Sequence, residues 1–210
     1  MNPQHLLIVF VKNPILGKVK TRLAKTVGDE SALKIDPKLL EITERETRKV
    51  NVVRHIYFSE MIISSKWKDD KKYIQEGTDL GARMLRAFLH GFLQGYKHII
   101  IVGSDLPDIT KETIETGFEQ LKTNDIVFGP ANDGGYYLLG MSKIHSSIFE
   151  NKPWSTSTLL DLTLQELTEQ EKTFALLTTR NDVDTYEDFV ASSLYQTTKN
   201  KDERNITRNS

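Results

Sequence analysis

The sequence predicts an α/β fold, a sheet with helices on its faces. Three observations carry this. Short apolar segments of strand character alternate with amphipathic helical segments along the chain. The run at residues 99–102, Ile-Ile-Ile-Val, is apolar without alternation, as in a central strand covered on both faces. Residues 79–95 place Leu85, Phe88, Leu89, Phe92 and Leu93 on one face at helical spacing.

The elements follow in order. A first strand is expected at residues 6–11 (Leu-Leu-Ile-Val-Phe-Val), ending at Lys12. A helix from about residue 29 is expected to break at Asp36, because Asp36-Pro37 has the form of an N-cap with Pro at the first helical position; a new helix then runs to about residue 50. Strands at 52–58 and 98–103 flank the helix at 79–95. A helix at 110–121 and strands at 125–129 and 136–140 come next. A helix at 156–168 with Ser155 as N-cap, a strand at 173–177 and a helix at 184–195, capped by Asp184 or Thr185, complete the pattern. Residues 1–195 read as one domain without internal repeat. Residues 196–210 hold one strongly apolar residue, Ile206, and are expected to form a polar, disordered tail.

Composition narrows the function. The 210 residues, 38% hydrophobic and 27% charged, suffice for one α/β core. A net charge of −1 argues against a general binder of nucleic acid or acidic membrane. With no cysteine, disulfides, thiolate nucleophiles and zinc–sulfur sites are excluded, and the five histidines show no metal-ligand spacing. The first 25 residues lack a signal-peptide pattern and no apolar run approaches the ~20 residues of a membrane span, so a cytoplasmic address is expected.

The loop after the first strand points to the chemistry. Lys12, Lys18, Lys20, Arg22 and Lys25 follow one another with no acid before Asp29, and Pro14 and Gly17 shape a turn. A basic, Gly-containing first-strand exit is a place for phosphate oxygens. It matches neither the Walker P-loop nor the Rossmann Gly-x-Gly-x-x-Gly pattern. Gly103-Ser104-Asp105-Leu106-Pro107 leaves the most apolar strand, so Asp105 lies where open α/β sheets bind ligands. Asp105 reads either as an oxygen ligand for a divalent cation or as a turn cap ahead of Pro107. Asp184, or Asp182, reads either as a second metal ligand or as part of the first turn of the last helix.

Three further segments line up with this. In Gly129-Pro130-Ala131-Asn132-Asp133-Gly134-Gly135-Tyr136, Asp133 reads as a binder of hydroxyls or metal, or as the Asp of an Asp-Gly hairpin turn. Arg83, one turn inside the helix that follows Gly77-Thr78-Asp79, reads as pocket-facing or as a solvated charge. Trp154, in Pro153-Trp154-Ser155-Thr156, reads as core packing or as a substrate platform.

As a set the segments resemble a known family. Lys12-x-Pro14-x-x-Gly17-x-Val19-Lys20-Thr21-Arg22-Leu23, Gly77-x-Asp79-Leu80-Gly81-x-Arg83-Met84, Gly103-Ser104-Asp105-Leu106-Pro107, Gly129-Pro130-x-x-Asp133-Gly134-Gly135-Tyr136 and Pro153-Trp154-Ser155-Thr156 occur in that order. They are similar to bacterial glycosyltransferase-like proteins termed radical-SAM/selenodomain-associated transferases. The wider resemblance is to GT-A nucleotide-diphospho-sugar transferases and to nucleotidyltransferases such as 2-phospholactate and molybdenum-cofactor guanylyltransferases. The resemblance implies a three-layer α/β/α fold with a mostly parallel central sheet and a nucleotide across the strand ends. It implies nucleotide and phosphate binding by Lys12, Gly17, Lys20, Thr21, Arg22, Asp79, Arg83 and Ser104. It implies Mg²⁺ or Mn²⁺ on Asp105 and Asp184, catalytic roles for Asp105 and Asp133, and acceptor binding by Gly134, Gly135, Trp154, Ser155 and Thr156. Where GT-A enzymes carry Asp-x-Asp, this chain has Asp105-Leu106-Pro107-Asp108.

Three functions are compatible with this reading. The leading one is glycosyl transfer from a nucleotide-sugar to a small-molecule acceptor, with a divalent cation neutralising the diphosphate leaving group. The second is nucleotidyl transfer from an NTP, with pyrophosphate released. The third is a nucleotide-binding module without catalysis. Nucleic acid and membrane are not expected partners.

Overall fold

The structure, a computed structural model, describes residues 2–196. Its elements are β1 (Asn2–Val11), α1 (Thr21–Val27), α2 (Asp29–Lys49), β2 (Val52–Phe58), β3 (Lys71–Ile74), α3 (Leu80–Leu93), β4 (His98–Val102), α4 (Lys111–Gln120), β5 (Ile126–Pro130), β6 (Tyr136–Met141), α5 (Leu159–Glu169), β7 (Phe174–Leu176) and α6 (Tyr186–Ala191). A 3-10 turn at Ser146–Ile148 precedes α5.

The strands form one seven-stranded sheet in the order β3-β2-β1-β4-β6-β5-β7. β3, β2, β1 and β4 run parallel, as do β5 and β7; β6 is antiparallel to both of its neighbours, β4 and β5. The carboxyl ends of β1, β2, β3 and β4 therefore share one edge of the sheet. The apolar run at 99–102 sits in β4, the middle of the seven strands.

Alternation along β1 divides the core. Leu7, Val9 and Val11 pack on one side with Leu40 of α2 and Ile114 and Phe118 of α4. Leu6, Ile8 and Phe10 pack on the other with Met84, Ala87 and Phe88 of α3 and Leu160 and Leu167 of α5. A third cluster sets α1 and the 183–194 segment on α2, through Leu23, Ala32, Ile35, Leu39, Val183 and Leu194. Each fully buried Leu, Ile or Phe in these layers stabilises the fold by roughly 1.5–3 kcal/mol relative to exposure.

The expected α/β fold with a mostly parallel sheet is what forms, and the strands fall within a few residues of their expected bounds. Several local expectations are corrected. The break at Asp36 does not occur: α2 is a single helix with Pro37 inside it. Ala32, Ile35, Leu39 and Leu40 bury one continuous face on both sides of Pro37, and that burial outweighs the hydrogen bond Pro37 cannot donate. Part of the basic segment read as loop is the helix α1, because Leu23 has a buried seat against α2. Ser155 does not cap α5; the N-cap position is Thr158, and Ser155 has φ 64° in the preceding loop. β3 was not expected: its sequence Lys-Lys-Tyr-Ile is half charged, as an edge strand permits. α6 is shorter than the 184–195 expected. The expected tail lies, apart from Gln196, outside the described residues.

Candidate active site

A cleft of about 570 Å³ lies over the carboxyl ends of the strands. Strand exits supply most of its wall: Lys12 and Asn13 after β1, Ser59 and Glu60 after β2, Gln75 after β3, and Gly103, Ser104 and Asp105 after β4. The β5–β6 loop adds Ala131, Asp133 and Gly135, and Asp182 comes from the segment before α6. Arg83 of α3 and the loop residues Trp154, Ser155 and Thr156 close the remaining side.

The basic segment divides into cleft and scaffold. Lys12 and Lys18 line the cleft and are exposed. Lys20 is the left-handed N-cap residue of α1, with φ 48°, and its side chain is only 5% exposed. Its Nζ donates to Asp105 Oδ2 at 3.4 Å. Burial alone pulls the Lys20 ammonium down, but the carboxylates of Asp105, Asp36 and Asp182 more than offset this, and the net direction is upward. Arg22 Nη1 donates to Asp184 Oδ2 at 2.9 Å on the surface. Gly17 is exposed in the turn closed by Lys18 N–H to the Ile15 carbonyl, at φ 73°. Thr21 is exposed at the start of α1, and neither Gly17 nor Thr21 reaches the cleft wall.

Four carboxylates line the cleft, those of Glu60, Asp105, Asp133 and Asp182. The Lys20 charge beside Asp105 holds that carboxyl below the usual range. Asp182 goes the other way: burial, then the charges of Asp105 and Asp133, push it up to about 6. The Val183 N–H donates to the Asp105 carbonyl at 3.3 Å, which ties the two segments together. Asp184 lies instead in a small crevice with Lys12, Lys20, Asp36, Ser104 and Asp105, turned to Arg22. Of the two acids ahead of α6, it is therefore Asp182 rather than Asp184 that shares the main cleft with Asp105. Asp108 accepts the Ser193 hydroxyl at 2.6 Å and is not part of the cleft wall.

The donor set fits a hard divalent cation. A divalent charge would relieve the Asp182 carboxylate, which burial and the charges of Asp105 and Asp133 destabilise, and oxygen is its preferred ligand. Among the described residues no three His, Cys, Asp or Glu side chains converge on one point. Asp105 and Asp182 would thus supply two ligands, with phosphate oxygens and water supplying the rest, as Mg²⁺ commonly accepts.

The β5–β6 loop turns over Asn132 and Asp133, with Gly134 closing the turn rather than sharing its centre with Asp133, and it brings Asp133 to the cleft wall. Gly134 N–H donates to the Ala131 carbonyl at 3.1 Å, closing a turn. Gly134 has φ 87°, and a Cβ there would stand 2.0 Å from the Ser157 carbonyl oxygen, so this loop can pack on the 153–158 loop only with glycine. Asp133 accepts the Gly135 N–H on Oδ1 at 2.9 Å and still lines the cleft. Trp154 lines the cleft and packs its ring on Gly81, where a Cβ would meet Cζ2 at 2.4 Å. Thr156 Oγ1 donates to the Pro153 carbonyl at 2.7 Å. Arg83 Nε donates to the Gly77 carbonyl at 3.2 Å, which aims the guanidinium at the cleft. Asp79 is the N-cap of α3, accepting the Ala82 N–H at 2.9 Å, and is exposed outside the cleft wall.

Sequence reasoning missed Asn13, Ser59, Glu60 and Gln75. They carry no motif, and only the parallel pairing of β1, β2 and β3 brings them to one edge. It also took Asp36 for a helix cap, whereas Asp36 lines the crevice beside Lys20.

Comparison with known proteins bears on this geometry. Residues 47–156, more than half of the chain, match the family described as "Uncharacterized protein conserved in bacteria (DUF2064)". No curated protein matches. A crystal structure of a protein from Desulfovibrio desulfuricans G20, provisionally assigned as a nucleotide-diphospho-sugar transferase, is 28% identical with TM-score 0.84, covering 96% of each chain. The 4-diphosphocytidyl-2C-methyl-D-erythritol synthase of Anaerococcus prevotii shares the fold at TM-score 0.58 and 13% identity, covering 93% of this chain and 99% of that one. Rv0371c of Mycobacterium tuberculosis H37Rv, solved in complex with manganese, shares it at TM-score 0.53 and 14% identity, covering 90% and 97%. The fold is that of the GT-A-like nucleotide-diphospho-sugar transferases. Among the described residues no helix is long and apolar enough to cross a membrane.

Proposed function

Given that the chain belongs to the bacterial family DUF2064, we propose that it is a nucleotide-dependent transferase that moves a sugar from a nucleotide-sugar donor to a small-molecule acceptor with the help of Mg²⁺ or Mn²⁺. The observation that carries this is the meeting of Lys12, Lys18 and Arg83 with Asp105, Asp133 and Asp182 in one cleft. Cations for phosphate oxygens and a pair of carboxylates for a divalent metal are what a diphosphate leaving group requires.

Each residue then has a role. Lys12 and Lys18 hold the phosphates from the β1 side, and Arg83 holds the donor from α3. Ser104, at the β4 exit, orients the diphosphate beside Asp105. Asp105 and Asp182 hold the cation, whose part when bound is to neutralise the charge of the departing diphosphate. Lys20 keeps the Asp105 carboxylate ionised and fixed in place. Asp133, braced by the Gly135 N–H, accepts a hydroxyl of the acceptor, and Trp154, Ser155 and Thr156 form the acceptor wall.

The division of the basic segment favours a diphosphate donor over an NTP. Lys20 is engaged with carboxylates and Arg22 with Asp184, so two of the five loop cations, Lys12 and Lys18, face the cleft. The synthase from Anaerococcus prevotii keeps nucleotidyl transfer as the second reading. Product analysis separates the two: with a panel of nucleotide-sugars and acceptors, glycosyl transfer releases a nucleoside diphosphate. Pyrophosphate release from an NTP instead would replace this reading with the second.

A further inference from the structure

We propose that the β2 end of the cleft is a nucleobase subsite that selects guanine, with the Glu60 carboxylate reading the base edge; this rests on the nucleotide-dependent reading above. Glu60 is held in place by its backbone. Asn13, 3% exposed, accepts the N–H groups of Glu60 at 2.9 Å and Met61 at 3.2 Å on its Oδ1. It also donates from Nδ2 to the Met61 carbonyl at 2.8 Å and from its own N–H to Ser59 Oγ at 3.0 Å. Ser59 N–H in turn donates to the Val11 carbonyl at 2.9 Å. The exits of β1 and β2 are thus locked together with Glu60 presented to the cleft. Among the described residues its carboxylate makes no ion pair, although Lys12, Lys18 and Arg83 line the same cleft.

The surroundings suit a flat heterocycle. Ile15 and Leu80 line the cleft as apolar flanks, and Leu80 is 48% exposed. Strand order places β2, β1 and β4 side by side, so Glu60 stands about two strand spacings, roughly 10 Å, from Asp105 along the cleft floor. Phosphates at Asp105 and Lys12 leave the ribose over β1 and bring the base to Glu60.

An ionised carboxylate accepts and never donates. Guanine presents two neighbouring donors, N1–H and the 2-amino group, which match its two oxygens in a bidentate pair. Adenine and cytosine set one amino group beside a ring-nitrogen acceptor, and uracil sets one N–H between two carbonyls, so each turns an acceptor toward the carboxylate. Glu60 therefore favours guanine by attraction and disfavours the others by unpaired polar groups.

The test is calorimetric titration of GDP, IDP, ADP, CDP and UDP, each with Mg²⁺, into the full chain and its Glu60→Gln variant. Glu60 is exposed, so the variant should keep its unfolding midpoint. The expected result is GDP binding at least about tenfold tighter than ADP, CDP or UDP, with IDP, which lacks the 2-amino group, in between. Glu60→Gln should abolish the preference by weakening GDP, with ADP and UDP binding as tightly as before or tighter. A preference for another base, or one for GDP that survives the substitution, overturns the proposal. So does an equal loss for every nucleotide, which would mean that Glu60 reads the ribose hydroxyls. No binding of any nucleotide would refute the nucleotide-dependent reading itself.

Discussion

At the scale of single residues, Lys20 shows how a buried cation can stay charged among carboxylates. Its ammonium lies among Asp36, Asp105 and Asp182 and donates to Asp105 at 3.4 Å. Lys20→Met removes that charge and keeps the length of the stem. The Asp105 side chain is 49% exposed, so solvent screens part of the loss. The expected cost is about 1.5–3 kcal/mol in urea unfolding with EDTA present, below the roughly 3–5 kcal/mol of a fully buried pair. A cost under about 0.5 kcal/mol would contradict the counter-ion role. Asp79 makes the opposite case. The motif it sits in suggests a nucleotide ligand, but its carboxylate satisfies the Ala82 N–H at the start of α3. Asp79→Ala should cost about 1 kcal/mol of stability, the usual worth of an N-cap. A fall in nucleotide affinity at unchanged stability would return it to the binding site.

At the scale of elements, the strands were legible where apolar runs had one reading, as at 99–102 in β4. The misreadings share a cause: local chemistry was outweighed by burial that the sequence does not display. Asp36-Pro37 has every mark of a helix start, yet α2 runs through it because Ala32, Ile35, Leu39 and Leu40 bury one face. The basic segment looked like loop until Leu23 found its seat against α2. β3 owes its place to pairing with β2 rather than to its own Lys-Lys-Tyr-Ile, and Gln75 fastens its exit by donating from Nε2 to the Val11 and Tyr57 carbonyls at 3.2 and 3.0 Å. The site was legible at glycine-rich and charged strand exits, where Lys12, Ser104, Asp105, Asp133 and Trp154 all reach the cleft. It was illegible where residues 59–60 and 75 carry no pattern, and between Asp182 and Asp184 the choice depends on how Val183 is anchored.

At the scale of the molecule, stability should depend on pH through the histidines. His55 of β2 is 0% exposed, neither ring nitrogen has a hydrogen-bond partner, and the rings of Tyr73, His90 and Tyr96 surround it. Burial, then the charges of Lys71 and His90, lowers it from 6.5 to about 4. The fold therefore favours neutral His55: its contribution is whole above the unfolded pKa of 6.5 and is lost as pH falls from 6.5 toward 4. Between pH 7.5 and 5 the loss should be about 2 kcal/mol in urea unfolding. His5, His98 and His145 are lowered in the same direction and add to the slope. His55→Phe should flatten the pH dependence by about that amount; an unchanged slope would show that His55 takes up its proton equally in both states.

The central claim is that Asp105 and Asp182 hold a divalent cation against the phosphates of a nucleotide in the cleft of about 570 Å³. The most direct measurement is calorimetric titration of nucleoside diphosphates and nucleotide-sugars into the full chain, with Mn²⁺ or with EDTA, for the unmodified protein, Asp105→Asn and Asp182→Asn. The expected result is nucleotide binding that requires the metal and weakens at least about tenfold, or 1.4 kcal/mol, in both variants. Binding of equal strength in EDTA and in both variants would contradict it.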